Sequence, residues 1–254
     1  MQDVVGTWRH LTRFAPRTKV LVTLFTHILV DRAGREGHSS SQCRAGTKSG
    51  SGALAPEGKF DLATMKSVCV YCGSRTGDDP AHRALAEELG TILGQRGILL
   101  VYGGGRVGLM GVVADAVLAA GGDVEGVIPE ALHASEVGHD GVGTLHIVDS
   151  MSERKAKMFA LADGFVALPG GTGTLDEVID ILTWRQLKFH TKPLVLLDQA
   201  YWTPFIDLLA HTDAKGFGHG ESSEQYSVVD TANAALTTLE AAPPGITKVP
   251  LDSL

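Results

Sequence analysis

Residues 164–182 read GFVALPGGTGTLDEVIDIL, and three kinds of local structure follow one another within them. Gly164–Leu168 is a short apolar run bounded by turn residues, the pattern of a strand buried on both faces of a parallel sheet. Pro169-Gly170-Gly171-Thr172-Gly173-Thr174 cannot extend that strand, because proline and glycine impose turn geometry and leave the backbone bare. Beyond it, Leu175, Val178, Ile179 and Leu182 recur at helical spacing, which predicts a helix over 174–189 with these four residues on its core face. Strand, glycine loop and helix in this order set free backbone N–H groups and the positive end of a helix dipole beside an uncrowded turn. An anion such as a nucleotide or sugar phosphate suits that arrangement.

The same unit repeats along the chain. Strands are predicted over 66–72, 98–102, 124–128, 145–148 and 194–197, with a weaker one over 226–229. Helices are predicted over 80–95, 108–120, 150–162, 201–211 and 231–240; in the first, Leu85, Leu89, Ile92 and Leu93 share one face while Glu87 and Glu88 lie outside it. This alternation predicts an α/β fold, a single-domain doubly wound parallel sheet with helices on both faces. Ligands bind such sheets outside the carboxyl ends of the strands. Three glycine-bearing loops fall there: Gly73-Ser74-Arg75, Gly103-Gly104-Gly105-Arg106-Val107-Gly108, and 169–174. Ser74, Gly104, Gly105, Gly170, Gly171, Thr172, Gly173 and Thr174 are therefore candidate substrate-binding residues.

Composition limits the alternatives. The chain has 254 residues, 44% of them hydrophobic, enough for a sizeable core. Its net charge of −7 argues against general nucleic-acid binding. No apolar run reaches the ~18 residues of a membrane helix. Three cysteines are too few for a disulfide scaffold and point to a reducing compartment, the cytoplasm. Residues 1–64 hold nine Lys/Arg against five Asp/Glu, a net of +4, whereas 65–254 carry a net of −11. Within the first part, VLVTLFTHILV at 20–30 follows basic residues like a signal peptide, but His27 interrupts it and no small-residue cleavage site follows. Residues 34–58 are rich in Gly, Ser, Arg and Ala, as linkers are. The expected organisation is a disordered extension over 1–64, a catalytic domain over 65–242 and a tail over 243–254.

Several motifs have ordinary explanations. Gly103–Gly108 formally matches G-x-G-x-x-G, but it follows the second strand, and Asp123 stands at the start rather than the end of the next strand, so a nicotinamide cofactor is not indicated. No Gly-Lys-Ser/Thr follows a glycine loop, which removes a P-loop. Cys69 and Cys72 lie within one strand, face opposite sides and read as core. The histidines form no H-x-x-x-H pair, so no metal is indicated. Ser150 and Glu153 form a capping box. Arg154 is different: it shares a helix face with Met151 and Met158, and a buried guanidinium needs a partner, either a ligand anion or a structural acid. Asp176 is explained as a helix-dipole partner, while Glu177, one turn beyond the anion loop, is a candidate for catalysis.

These residues carry a family resemblance. Pro169–Glu177 matches P-G-G-x-G-T-x-x-E, Glu153-Arg154-Lys155-Ala156 matches an E-R-K-A segment before it, and Gly103–Gly105 with Gly108–Gly111 matches a glycine-rich second loop. The chain resembles the Lonely Guy (LOG) family of cytokinin riboside 5′-monophosphate phosphoribohydrolases over roughly residues 66–240, with Ser152 standing where a His is common. The resemblance implies a Rossmann-like fold, a homodimer, no metal and no cofactor. It implies hydrolysis of the N-glycosidic bond of an N6-modified AMP, with Arg154 and Glu177 as the catalytic pair and Glu136, Lys155, Thr183 and the 170–176 loop, Asp176 included, lining the nucleotide site. Some members were long labelled lysine decarboxylases, but no Schiff-base lysine is identifiable here. A broader AMP nucleosidase and a non-catalytic nucleotide sensor remain alternatives on the same fold.

Overall fold

The computed structural model describes residues 65–136, 143–218 and 222–248, all within one unit, Lys59–Leu254. The extension expected over 1–64 lies outside the described residues. The strands are β1 (Ser67–Tyr71), β2 (Leu99–Tyr102), β3 (Val124–Pro129), β4 (Thr144–Val148), β5 (Gly164–Ala167), β6 (Leu194–Leu197) and β7 (Ser227–Val229). The helices are α1 (Pro80–Arg96), α2 (Gly108–Ala119), α3 (Glu130–Glu136), α4 (Met151–Leu161), α5 (Thr172–Gln186), α6 (Gln199–Ala214) and α7 (Ala232–Ala241).

The seven strands form one parallel sheet in the order β4-β3-β2-β1-β5-β6-β7. Its order reverses between β1 and β5, and the crevice at such a switch point is where doubly wound sheets hold ligands. Strand residues alternate between two cores. Val68, Val70, Leu100 and Val166 pack with α1, α2 and α7, while Cys69, Tyr71, Val101 and Phe165 pack with α4, α5 and α6. Cys69 and Cys72 are both buried and free, on opposite faces as their spacing requires.

Local signals set the helix ends. Asp79 caps α1 by accepting from the Ala81 N–H at 2.8 Å, Pro80 occupies the first turn, and Gly97 ends the helix at φ 63°. Helix α1 lies unusually close to α2 because two glycines remove side chains from the contact. A Cβ on Gly90 would stand 2.5 Å from the Val113 carbonyl oxygen, and one on Gly94 would stand 2.6 Å from that of Val117.

Four details depart from the sequence-based expectations. Helix α5 begins at Thr172, earlier than expected, because Gly171 caps it, and it ends at Gln186 rather than 189, just before Lys188 adopts φ 62°. Ile179, expected in the core, is 42% exposed; the buried stripe runs through Thr174, Val178, Ile181 and Leu182, and Ile179 falls beyond its edge. Helix α6 starts at Gln199 because Asp198 caps it. Helix α3 and a 3-10 turn over Ser222–Gln225 were not expected, since neither segment carries an apolar period. Residues 245–248 of the expected tail turn back along the α5–β6 connection, where Thr247 bridges His190 and the Thr191 N–H donates to the Ile246 carbonyl at 3.0 Å.

The glycine contact between α1 and α2 is testable. Gly90→Val forces the helices apart against backbone, and overpacking of this kind costs about 1–3 kcal/mol. Chemical denaturation is expected to show that loss, while Ala84→Val on the exposed face of α1 changes stability by under ~1 kcal/mol.

Candidate active site

The carboxyl ends of β1, β2 and β5 are stitched together by backbone. The Gly73 N–H donates to the Pro169 carbonyl at 3.0 Å, and the Leu109 N–H donates to the Gly73 carbonyl at 3.0 Å. Gly108, at φ 63°, lies so close to the first loop that a Cβ there would meet the Ser74 carbonyl carbon at 2.2 Å. This close approach brings all three glycine loops to one edge.

A cavity of about 210 Å³ opens between them, under the N-terminus of α5 and beside α4. Gly171, Thr172, Gly173 and Thr174 form its upper rim, and α5 has no side-chain cap at Gly171 to occupy its terminal N–H groups. Ser74 enters from the β1 loop. Helix α4 contributes Arg154 and α5 contributes Glu177, with Val70, Cys72, Met110, Met151 and Met158 as an apolar, sulfur-rich wall.

Arg154 is 6% exposed. Its Nη2 donates to the Gly103 carbonyl at 2.9 Å, Nη1 lies 3.8 Å from the Met151 sulfur, and Nε is buried with no hydrogen-bond partner among the described residues. An unsatisfied buried donor of a charged group is costly, so this guanidinium is arranged to receive something more. Gly103 makes room for it, because a Cβ there would stand 2.1 Å from Nη2.

Glu177 lies on the flank of α5 next to the buried stripe. Burial pushes its carboxyl up to about 7, against the opposing pull of Arg154, with Asp176 adding to the rise. The other α5 acids are engaged elsewhere: the Lys155 Nζ stands 2.9 Å from Asp176 and 2.6 Å from Asp180. Burial alone would lower the Lys155 ammonium, but the hydrogen bonds it donates to Asp180 and Asp176 outweigh that and raise it. Among the described residues, Glu177 is thus the one carboxylate lining the cavity.

The cavity unites Ser74, Arg154, Gly171, Thr172, Gly173, Thr174 and Glu177 from the sequence-based set, while Gly170 backs the loop and lines a neighbouring cavity. Lys155 and Asp176 pair with each other beside it. Gly104, at φ 77°, turns toward Ile128 and Leu145, and Gly103 takes the position on the cavity wall. Gly105 is buried behind it, and Thr183 lies on the exposed side of α5, away from the lining. Glu136 ends α3, and its side chain lies outside the described residues. Cys72, read as plain core, is both buried and part of the wall, and burial pushes its thiol well up. The methionine wall was legible only through the spacing of Met151 and Met158 from Arg154.

Fold and site together define a doubly wound α/β protein in which a helix start with no side-chain cap shares a cavity with a buried arginine and a glutamate whose carboxyl is raised. A family model described as "Possible lysine decarboxylase" matches residues 110–239. A cytokinin riboside 5′-monophosphate phosphoribohydrolase of Rhodococcoides fascians is 47% identical over 156 residues, 61% of this chain and 79% of that protein. The protein named "Probable cytokinin riboside 5′-monophosphate phosphoribohydrolase LOGL1" of Oryza sativa subsp. japonica is 42% identical over 187 residues, 73% of this chain and 82% of its own length. The chain belongs to this LOG family of phosphoribohydrolases. The fold is shared with the molybdenum cofactor carrier protein of Chlamydomonas reinhardtii, at TM-score 0.55 and 22% identity over 69% of this chain and 96% of that one. No lysine lines the cavity among the described residues; Lys192 is buried elsewhere, its Nζ donating to the Phe159 carbonyl at 2.7 Å.

Gly103→Ala pushes a methyl into the space of the Arg154 guanidinium. The variant is expected to fold but to lose at least ~10-fold in kcat/KM on a nucleotide substrate, since misplacing a positioned group by about 1 Å costs on the order of 100-fold. Steady-state kinetics beside a thermal melt check both halves.

Proposed function

We propose that this protein hydrolyses the N-glycosidic bond of an N6-modified AMP, a cytokinin riboside 5′-monophosphate, to the free base and ribose 5-phosphate. The observation that carries this reading is the raised carboxyl of Glu177, one helical turn below a bare α5 N-terminus and in the same cavity as a buried Arg154 with an unused donor. Named relatives with this activity support it.

The 5′-phosphate sits on the N–H groups of Thr172–Thr174, where the helix dipole favours negative charge. That anchor delivers the ribose to Glu177. Cleavage of a ribosyl–nitrogen bond passes through an oxocarbenium-like state with positive charge on the sugar. An ionised Glu177 in a poorly solvated cavity stabilises that charge and orients the water that ends on C1′. With Glu177 the one carboxylate lining the cavity among the described residues, the two-carboxylate glycosidase scheme does not map, so the chemistry rests on charge stabilisation more than on paired acid and base. Arg154 holds Glu177 partly ionised against its burial and offers Nε to the nucleotide. The wall of Met110, Met151 and Met158 gives the purine and its N6 substituent an adaptable apolar surface.

The enzyme acts in the cytoplasm as a homodimer, with exposed Ile179 on α5 and Leu187 just beyond its end as part of the apolar surface that a second copy covers. Its catalytic domain spans 65–242, flanked by the extension and the tail. Lys155 and Asp176, paired beside the cavity, border the nucleotide site.

Chromatography of reactions with N6-isopentenyl-AMP, its riboside and AMP tests the activity. Free isopentenyladenine from the monophosphate alone is the expected result, and Glu177→Ala should lower the rate on the order of 10²–10³-fold. Comparable adenine release from AMP would indicate the broader nucleosidase, and nucleotide binding without base release would indicate a sensor.

The pH dependence has a fixed sign. With the carboxylate as the active form and its pKa near 7 in the free protein, kcat/KM rises with pH to a plateau above about 8 and falls about tenfold per unit well below 7. Glu177→Gln should remove this limb and leave only the ionisation of the substrate phosphate near ~6.

A further inference from the structure

Gly170 and Gly171 carry no side chains, so little within the loop itself holds its peptide planes in place. The structure supplies the restraint from outside. The Gly73 N–H holds the Pro169 carbonyl, and the Tyr201 hydroxyl, from the first turn of α6, donates a hydrogen bond to the Gly170 carbonyl. A planar trans peptide points its C=O and N–H in opposite directions. Holding the Gly170 oxygen toward Tyr201 therefore turns the Gly171 N–H away from α6. A Cβ built on Gly171 meets nothing within 4 Å, so the residue borders open space.

Tyr201 is itself held. Asp198 caps α6 by accepting from the Tyr201 N–H at 3.1 Å, and its other carboxylate oxygen lies 3.4 Å from the His82 Nε2. The His82 ring meets the Tyr201 ring edge-on at 5.8 Å, and Trp202 does so at 5.3 Å. Asp198 makes these contacts from φ 91°, a backbone region that a non-glycine residue enters only when its surroundings hold it there. His82 and Tyr201 form part of the wall of a second cavity, of about 390 Å³, which shares only Ser74 and Gly171 with the first.

We propose that Tyr201 is a positioning residue for the phosphate loop: its hydroxyl fixes the Gly170–Gly171 peptide so that the Gly171 N–H faces the 5′-phosphate, with Asp198 and His82 holding the phenol in place. The proposal rests on the phosphate-binding reading above. It assigns Tyr201 no contact with substrate and no part in bond breaking. Its removal should weaken the grip on phosphate and spare the chemical step.

The test uses the full-length chain and its Tyr201→Phe variant, which keeps the ring and loses only the hydroxyl. Affinity for inorganic phosphate and for ribose 5-phosphate is read from protection against thermal unfolding, a measurement that needs no turnover. Both affinities are expected to fall roughly three- to tenfold, the value of one net hydrogen bond. KM for the nucleotide should rise by a similar factor while kcat stays within about twofold. Unchanged phosphate affinity, or a fall in kcat at constant KM, would overturn the proposal. So would a lower melting temperature with unchanged affinity, the mark of a merely structural tyrosine. Should Tyr201→Phe fail to fold, His82→Leu reads the same device: a smaller loss of phosphate affinity supports it, and none overturns it. If wild type binds phosphate tightly but cleaves no nucleotide, the functional reading fails, while the phosphate titrations still decide the role of Tyr201.

Discussion

The site depends on a charge held where charge is expensive. Arg154 lies inside the protein with one nitrogen on the Gly103 carbonyl and another with no hydrogen-bond partner among the described residues. Burying a guanidinium this way is tolerable only with compensation close by. Glycine at 103 leaves it room, Glu177 shares its cavity, and the α4 turn that carries it is capped by Ser150. Burial raises Glu177 to about 7, and the neighbouring Arg154 opposes part of that rise.

The fold brings these groups into one cavity by separating duties. Two cores, one on each face of the sheet, hold the strands rigidly, and the loops at the carboxyl edge carry almost none of that burden. Close backbone approach at Gly73, Gly108 and Pro169 then brings the loops within reach of one ligand. Lys155 draws Asp176 and Asp180 to itself on the outer side of α5. Among the described residues that leaves a single carboxylate lining the cavity, an arrangement suited to stabilising one developing positive charge.

The order of strands and helices was legible along the chain because each element has its own period and its own turn residues. The alternation of Val68 and Val70 with Cys69 and Tyr71 placed two faces on β1, and both are filled as that alternation requires. Errors arose where local pattern is ambiguous. Ile179 fits a helical stripe as well as Ile181 does, and only the packing partner decides which is covered. Helix α3 has too few apolar residues to announce itself.

The candidate site divides in the same way. The chain by itself determined the bare glycine loop at Gly171–Thr174, the suspicion attached to Arg154 and the choice of Glu177 as a candidate, because each breaks a local rule: bare backbone at a helix start, a cation among methionines, an acid beside the loop. Tertiary structure alone decided that Gly103 rather than Gly104 meets Arg154, that Lys155 is committed to two acids, that Cys72 forms part of the cavity wall, and that Tyr201 reaches back 31 residues to the Gly170 carbonyl. These are contacts between residues far apart in sequence, and no local period or spacing encodes them. They arise where separate βα units, each readable alone, are brought to one edge of the sheet.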